Sequence, residues 1–296
     1  MESHAAPLTL SASRGTSALG RGAWRVLRRN PTLIGGAALL VAMIALALGA
    51  EHFATHDPLE LSPIDRLRAP AAENWFGTDM FGRDIFSRTI HGGRVSLQIG
   101  IVVALVSAAI GLGIGLVSGY NRVVDGIVMR IMDGMMAIPA ILLAIALMAV
   151  MSASVRNVIV ALTIPEIPRV VRLVRAQVLS LREQIYVEAA RALGAGFFRV
   201  VFRHILPNTL APLIVQATYI CASAVIFEAY LSFLGAGTPP EIPSWGNIMA
   251  EGRTYVQIAF WIILFPGLFL ATTVLAINLV GDGLRDNLDP RVARRL

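Results

Sequence analysis

Six apolar runs, each long enough to cross a bilayer as a helix, are the feature that most constrains the fold of this chain. They lie at approximately 32–50, 96–118, 131–151, 157–174, 209–232 and 256–280. A helix rises about 1.5 Å per residue, so roughly 20 residues cross the hydrocarbon of a bilayer. The composition agrees, because 56% of the residues are hydrophobic and only 15% are charged. We therefore expect an all-α polytopic membrane protein with six transmembrane helices.

The positions of the arginines predict the orientation of these helices. If the runs cross in alternating directions, 18 arginines fall on the side of the N-terminus and 7 on the other side. Basic residues accumulate on the cytoplasmic side, so both termini are expected there. We predict a cytoplasmic N-terminal segment 1–31, a first transmembrane helix 32–50, an extracytoplasmic segment 51–93, a five-helix core 94–282 and a cytoplasmic tail 283–296. Because the arginines flank apolar runs, the net charge of +6 indicates contact with a lipid bilayer and not with nucleic acid.

Two local patterns could suggest a cofactor-binding loop or a metal site, but the residues around each pattern argue against that interpretation. Gly111, Gly115 and Gly119 recur at every fourth position inside an apolar run. A dinucleotide-binding loop needs a preceding strand, so this spacing instead predicts close helix packing. His52 and His56 have the spacing of helical metal ligands, but the composition around them is typical of a solvated loop. We predict that the chain binds neither a metal nor a cofactor and has no catalytic residues.

The stretch VEAARALGAGFFRVVFRHILPN, residues 187–208, lies between the fourth and fifth apolar runs. Gly194 and Gly196 separate a short helix-forming segment from a second one that carries Phe197 and Phe198. The pattern predicts a cytoplasmic helix–turn–helix with an aromatic face. Two interpretations remain open from the pattern alone: the segment docks into a groove on a partner protein, or it lies on the bilayer surface.

The same stretch resembles the signature loop of bacterial ABC importer permeases, which reads E-A-A, three residues, Gly, nine residues, then I-x-L-P. The matching positions are Glu188, Ala189, Ala190, Gly194, Leu206 and Pro207. His204 stands where isoleucine is expected, and this departure is similar to the peptide-transport branch of the family.

Three further stretches resemble the C-type permeases of dipeptide, oligopeptide and nickel importers. They are WFGTDMFGRDIFSRTIHGGRVSL at 75–97, AYLSFLGAGTPPEIPSWGNIMAEGR at 229–253 and GDGLRDNLDPR at 281–291. The first contains the outer motif GTDMFGRD, whose candidate residues are Gly77, Thr78, Asp79, Gly82, Arg83 and Asp84. We expect this motif to form a hydrogen-bonded turn that orders the outer face.

The resemblance implies a type I ABC importer permease fold in which residues 183–208 form a cytoplasmic coupling helix. It also implies a non-catalytic subunit of the bacterial cytoplasmic membrane. The expected partners are a homologous B-type permease, two ATPase subunits that bind ATP and Mg, and an extracytoplasmic substrate-binding protein. The expected cargo is a short peptide, with nickel or another small molecule as the alternative. Gly194 is expected to adopt a positive φ or to lie where there is no room for a β-carbon. Glu188 is expected to stabilise the loop by accepting hydrogen bonds or by pairing with an arginine.

Ionisable residues inside apolar runs are candidates for function. We predict that Asp133 pairs with Arg130. For Glu166 and Glu228 two roles remain open: they line the translocation path, or they make polar contacts between helices. An intramembrane hydrolase is disfavoured because all five histidines fall in predicted loops or at the edges of runs. A secondary transporter is disfavoured because we predict only one broken run, the fourth, interrupted by Pro165, Glu166 and Pro168, whereas such carriers commonly have paired broken helices.

Overall fold

The computed structural model describes residues 31–288, and these fold into helices joined by turns. Within that range the only β-pairing is an isolated antiparallel bridge between Thr78 and Asp84. The helices are α1 (Pro31–Leu48), α2 (Ala50–Phe53), α3 (Ile85–Tyr120), α4 (Arg122–Met136), α5 (Ala140–Val150), α6 (Val155–Leu181), α7 (Ile185–Ala192), α8 (Phe197–Val200), α9 (Leu206–Phe233), α10 (Trp245–Gly252) and α11 (Trp261–Leu288). Residues 1–30 of the predicted cytoplasmic segment and 289–296 of the predicted tail lie outside the described range.

Helices occupy all six predicted positions, the third of them as the two shorter helices α4 and α5, which confirms the predicted fold class. Four helical runs between residues 31 and 288 are long and apolar enough to cross a bilayer on their own: α1, α3, Phe197–Phe233 and α11. The pair α4 and α5 qualifies as a fifth when taken together. The remaining element, α6, has 27 residues and spans about 40 Å, but its second half carries three arginines.

The prediction that residues 131–151 form a single straight transmembrane helix is wrong. The chain bends by 86° between α4 and α5. Pro139 caps the start of α5 and cannot donate an N–H, and its ring disfavours a helical conformation at Ile138. The expected interruption of the fourth span is also wrong, because α6 runs without a break through Pro165 and Pro168. Prolines are tolerated in transmembrane helices where the surrounding protein supports the helix.

The predicted glycine stripe forms the contact between α3 and α6. A β-carbon built on any of its three glycines would come within 2.5–2.7 Å of a valine Cβ on α6, so only glycine permits this approach. The three valines are fully buried. The facing pairs are Gly111 with Val170, Gly115 with Val174, and Gly119 with Val178. The repeat of four residues is the same on both helices, so the two surfaces interlock along three turns.

The remaining helices surround this pair. α9 packs against α3, α6 and α11, while α1 lies against α11 and α3. The short helix α10 inserts between α9, α11 and α3 with Trp245 almost fully buried, and the indole N–H of Trp245 bonds to the carbonyl of Thr89 at 2.9 Å. Arg94 on α3 donates to the carbonyls of Ala47 and Leu48 at 2.7 Å each, which satisfies the exposed end of α1.

Candidate functional site

The segment between α6 and α9 folds as two short helices joined by a glycine turn. After α7 ends at Ala192, Gly194 adopts a φ of +83°. The N–H of Gly194 bonds to the carbonyl of Arg191 (2.9 Å), and the N–H of Ala195 bonds to the carbonyl of Ala190 (3.0 Å). This is the Schellman arrangement, in which a helix ends on a left-handed residue. A Cβ on Gly194 would meet no atom within 4 Å, so glycine is needed for its backbone conformation and not for space.

The coupling loop, residues 183–208, has one buried face and one exposed apolar face. Val187, Val200 and Ile205 are fully buried and hold the loop against the end of the bundle. Phe197 packs edge-on against Tyr120 with ring centroids 4.5 Å apart. The most exposed large apolar side chains are Ile185, Leu193 (89% exposed), Phe198 (72% exposed) and Phe202. Each of these four side chains leaves more than half of its surface uncovered by residues 31–288, and a contiguous apolar surface of this kind is typical of an interaction site.

Some signature residues of the loop are half-buried and others are exposed. Ala190 and Leu206 are half-buried, Ala189 and Pro207 are exposed, and Pro207 lies in the first turn of α9. The side chain of Glu188 is exposed and, within residues 31–288, neither accepts a hydrogen bond nor pairs with an arginine. The expectation that Glu188 holds the loop together is therefore not met inside this part of the chain.

A network of two carboxylates and two guanidinium groups is built around the outer motif. Asp79 accepts the backbone N–H groups of Phe81 (2.8 Å) and Arg83 (3.0 Å) with one oxygen. Its other oxygen accepts from Arg83 Nε (2.6 Å) and Arg88 Nη1 (2.5 Å). Glu251 on α10 accepts from the same two arginines at 2.6 Å and 3.0 Å. Arg88 is fully buried, and its Nε has no hydrogen-bond partner. The network joins the outer segment to α10.

Asp84 organises the start of α3. One of its carboxylate oxygens accepts the N–H of Ser87 at 2.8 Å, which is the contact of an N-cap. The same oxygen accepts from the hydroxyl of Thr55 (3.1 Å), and the other accepts from the amide of Asn74 (3.0 Å). The cap therefore also fastens two points of the segment 51–93 to α3.

The remaining residues of the outer motif make close backbone contacts. The hydroxyl of Thr78 accepts the backbone N–H of Arg68 at 2.9 Å. The backbone carbonyl of Thr78 accepts the indole N–H of Trp261 at 3.2 Å. Gly77 and Gly82 both have positive φ. A Cβ on Gly82 would lie 1.8 Å from the carbonyl oxygen of Ser62, so no other residue fits. The expected hydrogen-bonded turn is present at the predicted residues.

Glu228 lies at the meeting point of three helices. It is fully buried and accepts hydrogen bonds from Ser96 on α3 (3.2 Å), Ser232 on α9 (2.9 Å) and Ser244 (2.8 Å). Ser244 also caps α10 by accepting the N–H of Asn247 at 3.2 Å. Of the two roles left open for Glu228, these contacts favour polar contact between helices.

Two other intramembrane carboxylates pair with arginines of α6. Glu166 is 2% exposed and accepts from Arg169 at 3.2 Å and 3.3 Å. The predicted pairing of Asp133 with Arg130 is wrong, because Asp133 accepts from Arg172 at 2.5 Å. A contact between α4 and α6 depends on tertiary packing, which helical spacing within α4 cannot indicate.

In the described part of the chain, His52 and His56 do not belong to a metal-binding cluster. Within residues 31–288, no group of three His, Cys, Asp or Glu side chains is placed to hold a metal ion. His52 lies in α2, and His56 Nδ1 lies 3.1 Å from the hydroxyl of Thr55. Glu51 beside them is bonded by Arg94 at 2.8 Å, and this contact lowers the pKa of the Glu51 carboxyl below its usual value.

Sequence reasoning missed the partners that complete the outer network. Arg88 and Glu251 were not among the candidate residues, although both lie in stretches that resemble the C-type permeases. A signal for Arg88 was available, because it follows Asp84 by one helical turn and so points back towards the motif. Glu251 gave no local signal, since 168 residues separate it from Arg83.

Comparison with known families identifies the family of the chain. Residues 109–294 match the family described as the inner membrane component of binding-protein-dependent transport systems. The chain belongs to this family. Residues 18–70 match the N-terminal transmembrane domain of oligopeptide transport permease C. The protein is therefore a permease of the ABC importer class, as the signature loop predicts.

Individual relatives cover nearly the whole chain. A probable peptide ABC transporter permease of Sinorhizobium fredii is 52% identical over 92% of this chain and 93% of the relative. The dipeptide transport permease DppC of Alkalihalophilus pseudofirmus is 43% identical over 92% of this chain and 90% of its own length. Among solved structures, an inward-facing MetNI methionine ABC transporter matches with a TM-score of 0.53 at 23% identity, covering 68% of this chain and 96% of the other. That structural match supports the fold alone.

Proposed function

We propose that this permease carries short peptides into the cytoplasm as one transmembrane subunit of an ATP-driven importer. The names of its relatives, which include peptide and dipeptide transport permeases, support a peptide cargo. Nickel or another small molecule is the alternative cargo, and a secondary transporter is the less favoured alternative mechanism. Competition of labelled dipeptide uptake by unlabelled peptides and by nickel distinguishes the first two, and dependence on ATP distinguishes the third.

The importer also requires subunits that this chain does not supply. We expect a homologous B-type permease beside it, two ATPase subunits that bind ATP and Mg, and an extracytoplasmic binding protein. The exposed apolar face of the coupling loop is the observation that carries this proposal. Four large apolar side chains there are each more than half exposed within residues 31–288, and a hydrophobic groove on an ATPase would bury them.

The loop is well placed to pass movement into the membrane. α6 ends at Leu181, and α7 begins four residues later at Ile185. On the other side, α8, a π-helical turn (Val201–Ile205) and α9 continue as one run from Phe197 to Phe233. Closure of the ATPases around ATP would displace the loop, and both helices would tilt with it. The two states would differ in contacts at the loop, which is what coupling by a ligand requires.

A paired substitution tests the docking role. Phe198→Glu places a charge on the exposed apolar face, while Ile64→Glu does the same at an 87% exposed position of the outer segment. We expect Phe198→Glu to lower ATPase retention during purification and to abolish ATP-dependent dipeptide uptake in proteoliposomes. Ile64→Glu should leave both unchanged. Full retention and uptake with Phe198→Glu would contradict the docking role and favour a loop that rests on the bilayer.

The orientation is tested with single cysteines in a Cys221→Ala background. Ile64 and Leu193 are both highly exposed and lie on opposite sides in the proposed topology. In intact cells that produce the permease without its ATPase subunits, an impermeant thiol reagent should label Ile64→Cys and leave Leu193→Cys unlabelled until the membrane is opened. Labelling of Leu193→Cys from outside would reverse the topology.

A further inference from the structure

A basic cavity of about 310 Å³ lies where α3 ends, α4 begins and α6 approaches the coupling loop. Ser118 and Gly119 supply the α3 side of its wall. The charged side chains that line it are Arg122 and Asp125 from α4, Arg175 from α6, and Arg182, which caps the end of α6. The cavity therefore gathers three guanidinium groups around one carboxylate.

The positive charge of this cavity is only partly balanced. Asp125 bonds to Arg175 through both carboxylate oxygens, so this pair is neutral overall. Arg182 donates a single hydrogen bond to the carbonyl of Gly119 at 3.2 Å. Arg122 makes no hydrogen bond or ion pair with any residue between 31 and 288. The single carboxylate therefore balances only one of the three guanidinium charges that line the cavity.

The position of Arg122 adds to the imbalance. It is the first residue of α4, and a positive charge there is disfavoured by the helix dipole. The side chain of Asn121 already accepts the N–H groups of Val123 (2.9 Å) and Val124 (3.3 Å), but it carries no charge. An anion in the cavity would be attracted by Arg122, by Arg182 and by the start of the helix together.

We propose that this cavity binds the phosphate group of an anionic phospholipid. Arginine forks match phosphate oxygens in geometry and charge, and basic pockets at the cytoplasmic side of membrane helices suit anionic headgroups. Exposed apolar side chains recur at every fourth position of α4 beside the cavity, at Val123, Ile127 and Ile131. Such a stripe is suited to acyl chains. The assignment to the cytoplasmic leaflet rests on the proposed orientation of the coupling loop.

The test compares lipids on the purified importer complex. Its thermal unfolding midpoint is measured with added phosphatidylglycerol, with the same mole fraction of phosphatidylcholine, and with inorganic phosphate. The variants are Arg122→Gln and Arg122→Lys. The first removes a guanidinium group that makes no hydrogen bond or ion pair within residues 31–288, and the second keeps the positive charge. Arg130→Gln is the matched control, because Arg130 is exposed on the same helix and does not line the cavity.

We expect phosphatidylglycerol, but not phosphatidylcholine, to raise the midpoint of the unmodified complex and of Arg130→Gln. Arg122→Gln should need about tenfold more phosphatidylglycerol for half of the effect, because a charge-assisted hydrogen bond is lost. Arg122→Lys should lie between the two. An equal response of Arg122→Gln and Arg130→Gln would overturn the site.

Two further results separate the alternatives. If millimolar inorganic phosphate raises the midpoint as phosphatidylglycerol does, and Arg122→Gln removes that effect, the cavity holds a soluble phosphate and the lipid assignment is overturned. Peptide uptake is measured on the same preparations. Normal uptake in preparations whose midpoint phosphatidylglycerol raises no more than phosphatidylcholine does would contradict this inference and leave the transport function standing.

Discussion

The turn at Gly194 gives the sharpest quantitative prediction. Its φ of +83° lies in the left-handed region, where a residue with a β-carbon is disfavoured by about 1–2 kcal/mol. No atom lies within 4 Å of the position that a β-carbon would take, so this conformational cost acts alone. A cost of this size corresponds to a change of about 5- to 30-fold in an equilibrium constant. If ATPase docking requires the native turn, Gly194→Ala should weaken association by that factor.

The series of substitutions follows from the same geometry. Gly194→Val should weaken association more than alanine does, because a β-branched residue is a severe outlier at positive φ. Gly194→Asn should weaken it least, since asparagine tolerates the left-handed region. Gly196→Ala is the matched control: Gly196 has a φ of −69° and a β-carbon there would also meet no atom within 4 Å. It should behave as the unmodified protein does.

The assay uses the complex of both permeases with the ATPase subunits. ATPase association is titrated, and ligand-stimulated hydrolysis and peptide uptake are measured on the same reconstituted sample. The Gly194 variants should still insert and pair with the second permease, because the turn lies outside the spans. Wild-type affinity and uptake in Gly194→Val would refute the reasoning, since neither the turn nor the loop would then matter for coupling.

Three further outcomes are expected. Asp79→Ala should lower uptake or assembly and leave insertion intact, because it leaves Arg88 buried without its nearest carboxylate; normal uptake would make the outer network dispensable. Glu228→Leu should lower the thermal midpoint more than Glu228→Gln, because leucine leaves three serine hydroxyls without their acceptor; equal midpoints would contradict the hub role. The bond from Arg94 lowers the pKa of Glu51, so its small stabilisation is present above the usual pKa near 4.5 and is lost as pH falls through the lowered value. The acid-induced fall in midpoint should be slightly smaller in Glu51→Gln than in the unmodified protein, and an identical fall would contradict the contribution.

Features that rest on local spacing could be predicted from the sequence. The glycine stripe required only a repeat of four residues, and the turn at Gly194 required only a glycine after a short helix-forming segment. The six helical elements followed from hydropathy. The bend between α4 and α5 had a visible cause in Pro139, but hydropathy alone merges residues on both sides of a proline into one span.

Features that rest on contacts between distant residues could not be predicted in the same way. Asp133 has an arginine one helical turn away, yet it bonds to Arg172 because α4 crosses α6 at that point. The hydroxyl of Ser244 reaches Glu228 only because α10 folds back between α3 and α9. A local pattern offers many possible partners for a charge, and the packing of the helices selects among them.

The interlocked glycines and valines of α3 and α6 have a mechanical consequence. Because a valine side chain fills each glycine gap, one helix can slide along the other only in steps of a whole four-residue repeat, about 6 Å. Smaller displacements would drive valine methyl groups into the opposing backbone. A push on the coupling loop would therefore carry α3 along with α6. Since α3 extends about 54 Å from Tyr120 to Ile85, that push would arrive at the outer network as the movement of a single rigid rod.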